Sequence, residues 1–286
     1  MKLKKKGLIA VSSIIVALTV ASLILIPAIR NGYTGKYLKE DLKNIDNISL
    51  IAHCTEVDGV SNSVAGFKES VRLGANAVIV DLCFNKVGVP VMCENYTLAE
   101  NSESVESLFK AMTNEKYNKI KVYLKIVQLS DISLLNSLAV KYNLIDRLFL
   151  IGIDKDHYGL IDTDDTIIPF LLNYKFSENE LDSVKDGSFE SPKIIEEYGA
   201  TGLVINKSQI TAELVDTLND FGIIFIVDGI ESKPELCKVL INNAVNAVVP
   251  DIAESKELLD TWAADMQSRY KASVEKSIKE LSKKAE

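Results

Sequence analysis

From residue 49 onward the chain alternates between two kinds of stretch. Short runs are rich in β-branched and aliphatic residues, and longer stretches carry apolar residues at helical spacing. The runs predict strands at Ser49–His53, Ala77–Phe84, Lys121–Val127, Arg147–Ile153, Thr166–Leu172, Thr201–Lys207, Ile223–Asp228 and Ala244–Pro250. Several are apolar almost throughout, the mark of strands covered on both faces in a parallel sheet. Amphipathic helices are predicted between them, for example over Ser130–Tyr142, Thr211–Phe221 and Lys233–Asn242. Gly222 closes one helix before the next strand begins. Ser232 and Pro234 open another, as an N-cap serine and an early proline. Eight strands with intervening helices predict an α/β fold, a (β/α)8 TIM barrel whose working face is formed by the loops that follow the strands.

One stretch breaks the alternation. After Phe84, Asn85-Lys86-Val87-Gly88 reads as a tight turn into Val89–Glu94, with no room for a crossover helix. Parallel neighbours need a dozen or more residues between them, so this segment returns antiparallel, as a hairpin inserted after the second strand. Its end, Cys93-Glu94-Asn95, folds back to the level of Asp81.

The N-terminus carries a different pattern. Met1–Lys6 is strongly basic, and Gly7–Ile29 follows without a charge. About 20 apolar residues cross a bilayer as a helix, so this run is long enough. A cleaved secretory signal usually has an apolar core of about 7–15 residues and a small-x-small cleavage site. Here the run is longer, and Leu23-Ile-Leu-Ile-Pro-Ala28 lacks a clean pattern of that kind. The expectation is one N-terminal transmembrane helix acting as an uncleaved signal-anchor, with cleavage and a buried core helix as the alternatives. Lysines before it put the N-terminus in the cytoplasm and the barrel outside, on a single-pass plasma-membrane protein. The expected organisation is a basic tail at 1–6, the anchor at 7–29, a linker at 30–47, the barrel at 48–260 and a charged helix at 261–286.

Composition narrows the function classes. A chain of 286 residues, 47% hydrophobic, with few glycines (14) and prolines (6), has the material for one full core. Its net charge of −8 and lack of a basic stripe argue against nucleic acid as a partner. Cys54, Cys83, Cys93 and Cys237 show no scaffold-like spacing and read as free, mostly buried thiols. Only two histidines, His53 and His157, are present, which leaves little for histidine-based chemistry.

The order of motifs resembles the glycerophosphodiester phosphodiesterase family, which has a (β/α)8 fold. The family's His-Arg-Gly after the first strand corresponds to His53-Cys54-Thr55, and its Pro-Glu-Asn-Thr to Val60-Ser61-Asn62-Ser63. Gly74-Ala75-Asn76 and Ile79-Val80-Asp81 stand where the family has Gly-Ala-Asp and Glu-x-Asp. Val87–Asn95 matches its Asp-Gly-x-Pro-Val-Val-x-His-Asp hairpin. Looser matches lie at Leu124–Val127, Phe225–Asp228 and Val245–Asp251. The resemblance implies two histidines as acid and base, a phosphate-binding arginine and carboxylates around a divalent cation.

Most of that apparatus is substituted here. The arginine is Cys54, which offers no bidentate cationic fork. The first ligand glutamate is Ile79, and the third matches Lys125, whose ammonium repels a cation. Glu94 replaces the second histidine and is a poor proton donor at neutral pH. His53 and Asp81 remain. The expectation is a catalytically degenerate, membrane-anchored member with no cofactor and a binding or scaffold role. On that reading His53 and Glu94 are vestigial catalytic residues, and His53, Asp81, Lys125 and Asn62 are candidates to line a pocket for a glycerophosphate-like or lipid-headgroup ligand. Asp81 and Lys125 are expected to form an ion pair in the metal's place, and Asn62 to cap the first helix. The alternatives are an active phosphodiesterase with a rearranged, metal-independent site using His53, Asp81 and Glu94, and a structural protein binding an unknown protein partner.

A second cation candidate is Asp154–Asp165, which resembles a twelve-residue EF-hand calcium loop with Asp154, Asp156, Asp162 and Asp165 as ligands. Tyr158 stands at its fifth position, and strands instead of helices flank it, so an acidic solvated loop is the competing reading.

Overall fold

In the computed structural model, residues 41–42, 45–128, 131–156 and 166–285 are described. The expected anchor at 7–29 and most of the candidate calcium loop, including Asp162 and Asp165, lie outside them. Among the described residues no helix is long and apolar enough to cross a membrane.

Among the described residues nine strands form one sheet. They are β1 (Ser49–His53), β2 (Ala77–Phe84), β3 (Pro90–Met92), β4 (Lys121–Ile126), β5 (Leu148–Asp154), β6 (Phe170–Tyr174), β7 (Gly202–Asn206), β8 (Ile224–Asp228) and β9 (Asn246–Val249). Eight are parallel, in the order β1-β9-β8-β7-β6-β5-β4-β2, and pairing of β1 with β2 closes them into a barrel. The helices are α1 (Val64–Arg72), α2 (Val105–Met112), α3 (Ser133–Lys141), α4 (Glu178–Asp186), α5 (Ser191–Tyr198), α6 (Ala212–Asp220), α7 (Lys233–Ile241) and α8 (Ile252–Ala285). The barrel predicted from alternation is the observed architecture. The fifth of the eight predicted strands needs a shift: Thr166–Leu172 is the expectation, and the observed β6 covers Phe170–Tyr174, with Leu171 opposite Gly202.

Two cores follow from the period of the strands. Ile51, Ala77, Ile79, Tyr123, Phe149, Ile151, Leu171, Val204, Ile226 and Val248 fill the barrel interior. The alternate side chains, such as Leu50, Val78, Val80, Leu124 and Leu203, face outward into the larger core beneath the helices, which includes the fully buried Trp262. Burial on both faces explains why the strands lack a polar side.

The hairpin is also present. β3 runs antiparallel to β2, pairing Met92 with Leu82 and Pro90 with Phe84. It takes the same edge of β2 that β1 uses lower down, where β1 pairs only with Ala77–Ile79. Cys54 N–H donates to the Ile79 carbonyl and Cys93 N–H to the Asp81 carbonyl, so the edge passes from one partner to the other without a gap.

Candidate site at the barrel mouth

Alternation along each strand decides which side chains reach the mouth. Two residues beyond the interior Ile51, Ile79, Tyr123, Leu171, Val204 and Ile226 stand His53, Asp81, Lys125, Asn173, Asn206 and Asp228. All are polar, whereas the layer below is apolar apart from the Tyr123 phenol. The strand ladder sets Asp81 directly beside Lys125 and Asn206 beside Asp228.

Asp81 is the centre of a cluster. The Lys125 ammonium lies 3.7 Å from its Oδ1, with the Asp81 side chain 16% and the lysine side chain 47% exposed. That is an ion pair without a hydrogen bond, and buried Oδ1 accepts none from any described group. Asn62 supplies the other contacts. Its Nδ2 donates to Asp81 Oδ2 at 3.1 Å and stands 3.5 Å from Glu94 Oε1, while its Oδ1 accepts the Asp81 N–H at 2.8 Å. A single buried amide thus bridges two carboxylates and a strand backbone. Asn62 achieves this with φ +49, a left-handed conformation that asparagine tolerates better than most residues.

This arrangement corrects the expected role of Asn62. The cap of α1 is Ser63, whose hydroxyl accepts the Gly66 N–H. Asn62 points the other way, into the mouth. α1 is held at two further points, one at its start and one in its last turn. Glu103 Oε2 accepts the Val64 N–H at 2.6 Å, favourable at a helix N-terminus. Ser70, fully buried, accepts the Thr55 N–H at 3.0 Å and lies 2.8 Å from its hydroxyl. Gly66 makes the approach feasible, since a Cβ there would sit 2.1 Å from the Thr55 carbonyl oxygen.

His53 ends β1 exposed and has no side-chain hydrogen-bond partner among the described residues. It borders a cleft of about 310 Å3 with Cys54, Thr55, Glu56, Pro250 and Asp251, and none of Asn62, Asp81, Glu94 and Lys125 lines that cleft. The structure therefore gathers four of the five predicted mouth residues and sets His53 in an adjoining space. Cys54, at the family's arginine position, donates its thiol to the Ser63 carbonyl at 3.4 Å. Burial pushes that thiol up to about 11, so it is neutral and a weak nucleophile at physiological pH. Cys83, Cys93 and Cys237 are buried, and all four cysteines are free, as expected.

Sequence reasoning missed part of the mouth. Asn173, Asn206 and Asp228 required the register, because any strand-end polar residue looks alike in sequence. Gly152 had a visible signal, a glycine inside an apolar strand. β5 changes register between Leu150 and Ile153, with Gly152 at φ +86. A Cβ there would lie 3.1 Å from the Ile126 carbonyl oxygen and 3.4 Å from Lys125 Cγ, so the irregularity leaves room for the lysine stem. It also brings Asp154 level with Asn173 at the mouth, where Asp154 Oδ1 accepts the Asp156 N–H at 3.0 Å. Of the four proposed calcium ligands, only Asp154 and Asp156 are described.

No protein-family model and no curated protein matches the chain. Solved structures do. A protein from Silicibacter pomeroyi assigned as a glycerophosphoryl diester phosphodiesterase superposes with TM-score 0.60 at 13% identity, over 81% of this chain and 98% of its own. The glycerophosphodiester phosphodiesterase from Agrobacterium tumefaciens gives 0.57 at 11%, over 74% and 98%. An Oleispira antarctica phosphodiesterase, solved with its product sn-glycerol-3-phosphate, gives 0.52 at 15%, over 74% and 96%. Identities this low speak to architecture alone. The chain has the fold of the solved glycerophosphodiester phosphodiesterases.

Proposed function

We propose that this is a membrane-anchored barrel of glycerophosphodiester phosphodiesterase type that binds a ligand at its mouth and does not cleave it. The observation that carries the reading is the surround of Asp81: an ammonium at 3.7 Å on one side and an amide NH2 at 3.1 Å on the other. A divalent cation needs several oxygen donors converging on one point. Here hydrogen-bond donors face the carboxylate where those ligands would be required, and among the described residues no three His, Cys, Asp or Glu side chains converge. The donor set does not fit the cation that the family resemblance implies. Ile79, buried in the barrel interior, supplies no donor atom.

Phosphoryl transfer needs fixed positive charge for the developing oxyanion and an acid for the leaving alkoxide. Cys54 supplies neither, being a neutral thiol bonded to a carbonyl. The half-exposed Lys125 remains able to attract an anionic headgroup, with Asn62 and the mouth asparagines as hydrogen-bonding partners for hydroxyls. On this reading Gly7–Ile29 holds the chain in the plasma membrane with the barrel on the extracytoplasmic side.

The test is release of alcohol from a glycerophosphodiester, with and without added magnesium or calcium, alongside calorimetric binding of glycerol 3-phosphate. The expected results are no turnover under either condition, and binding that Lys125→Met weakens several-fold. Cation-dependent turnover, or turnover abolished by His53→Ala, would overturn the binding-only reading in favour of an active, rearranged hydrolase.

A further inference from the structure

The four cysteines differ in their neighbours. Cys54 and Cys237 pack into the large core beneath the helices. Cys83 and Cys93 instead share a separate cluster of four buried residues with Val91 and Ala99, and Val89 packs against it. The hairpin brings them together. Cys83 stands directly opposite Val91, and Cys93 lies two residues further along the returning chain. Both thiols are therefore on one face of the ladder as diagonal neighbours. Asp81 shares that face, and its carbonyl accepts the Cys93 N–H at 3.0 Å. The Cys83 thiol donates to the Cys93 carbonyl at 3.1 Å. Burial, and after it the neighbouring Cys93 thiol, push the Cys83 thiol up to about 12.

Only a thin layer covers the pair. The single helical turn Tyr96–Asn101 packs on the hairpin and contributes one buried residue, Ala99, while Tyr96 and Leu98 are exposed. β3 is three residues long. The Lys86 N–H donates to Glu100 Oε1 at 2.8 Å and the Met92 N–H to the Glu103 carbonyl at 2.8 Å. A unit this small opens without unfolding the barrel, and opening returns the thiols to water and to ordinary acidity.

We propose that Cys83 and Cys93 are a redox pair whose oxidation to an intramolecular disulfide staples the hairpin at the rim of the mouth. The oxidant is a small-molecule disulfide such as oxidised glutathione. In the opened flap the Cys93 thiolate attacks a sulfur of the oxidant, whose S–S bond breaks and releases one thiolate. The Cys83 thiolate then attacks the Cys93 sulfur of the mixed disulfide, forming the new bond and releasing the second thiolate. Two protons leave the protein, and two electrons reduce the oxidant to two thiols. Diagonal neighbours in a flat ladder stand about 7–8 Å apart, and a disulfide spans up to about 6.8 Å between Cα atoms. Bond formation therefore draws the end of β3 in by about 1 Å. Glu94, next along the chain, has its Oε1 3.5 Å from Asn62 Nδ2, so the movement reaches the mouth. The thiol chemistry stands apart from the binding reading given above, whereas its effect on a bound ligand rests on it.

The experiment takes the purified full chain, reduced and then exchanged without denaturant into oxidised glutathione, and maps it by mass spectrometry of an unreduced digest. The expected product joins Cys83 to Cys93 and lacks two hydrogens, with Cys54 and Cys237 still free to alkylate after unfolding. Dithiothreitol should reverse it. Cys54→Ser combined with Cys237→Ser should give the same crosslink, and Cys93→Ala should give none. Amide exchange over residues 91–101 should slow by about tenfold or more in the oxidised form. Disulfides joining other pairs, a reaction that stops at glutathione adducts, or a crosslink that leaves exchange unchanged would each overturn the inference. Calorimetry with glycerol 3-phosphate on both forms reports the mouth separately. A several-fold difference in affinity is expected, and equal affinity would overturn the coupling. A crosslink formed on a chain that binds in neither form removes the binding reading and leaves the redox pair standing.

Discussion

Replacing Asn62 by alanine tests the architecture of the mouth most directly. The substitution removes the acceptor of the Asp81 N–H at 2.8 Å and the donor to Asp81 Oδ2 at 3.1 Å. A buried N–H left without a partner costs about 1–3 kcal/mol, and a hydrogen bond to a charged group contributes about 1.5–3 kcal/mol. The contact to Glu94, at 3.5 Å and on an exposed side chain, is counted as nothing. Alanine at φ +49 adds about 1 kcal/mol of backbone strain. Water reaches part of the carboxylate, whose side chain is 16% exposed, so the sum is discounted to about 3 kcal/mol. For a barrel of this size that corresponds to a fall in melting temperature of about 6–12 °C, read by near-ultraviolet circular dichroism. Asn62→Gly loses the same hydrogen bonds but not the strain, and should melt about 2–4 °C above the alanine variant. Asn62→Asp keeps an acceptor while adding a third carboxylate beside Asp81 and Glu94. Its defect should therefore be largest at neutral pH and shrink under acid conditions. An alanine variant melting within 2 °C or so of wild type would refute the bridging role.

Further outcomes are expected elsewhere. Gly66→Ala forces a Cβ to about backbone contact with Thr55, at 2.1 Å from its carbonyl oxygen, so little folded protein should accumulate; soluble yield and a thermal scan check this. Gly152→Ala combines φ +86 with contacts of 3.1 Å to Ile126, and should cost about 1–2 kcal/mol by denaturant titration while displacing the Lys125 stem. Burial pushes the thiols of Cys54, Cys83 and Cys237 up to about 11, 12 and 12 from an ordinary value near 9.0. The folded state thus prefers the neutral thiols: their contribution is complete below pH 9 or so and declines as pH rises toward about 11–12. Melting temperature should fall over that window, and a variant with these cysteines replaced by alanine should fall less steeply; equal slopes would refute the assignment.

The sequence disclosed the barrel because both strand faces are apolar and eight such runs alternate with helices. The hairpin was legible for a different reason, since no crossover fits between Phe84 and Val89. The Asp81–Lys125 pair followed from matching two motifs to neighbouring strands, and the two residues are register partners. What sequence could not supply were contacts made across long separations by ordinary residue types. Glu103 at the start of α1, and Ser70 against Thr55, carry no local pattern. Asn62 was misread because a Ser-Asn-Ser segment ahead of a helix offers three capping side chains. Only the left-handed backbone at the middle one sends its amide into the mouth and leaves Ser63 as the cap. The displaced β6 has a similar origin: Thr166–Leu172 has strand composition, but its pairing begins only at Phe170.

The division of one strand edge between β1 and β3 has an evolutionary corollary. The closed ladder is finished by Ile79, and everything above it on that side is borne by a flap whose tip, Val87, is 80% exposed. Residues added at Lys86–Gly88 would lengthen the flap into solvent without breaking a barrel hydrogen bond. The rim beside Asp81 can therefore be enlarged, shortened or resurfaced while the cylinder beneath it keeps its shape, so new recognition properties can arise here at little risk to folding.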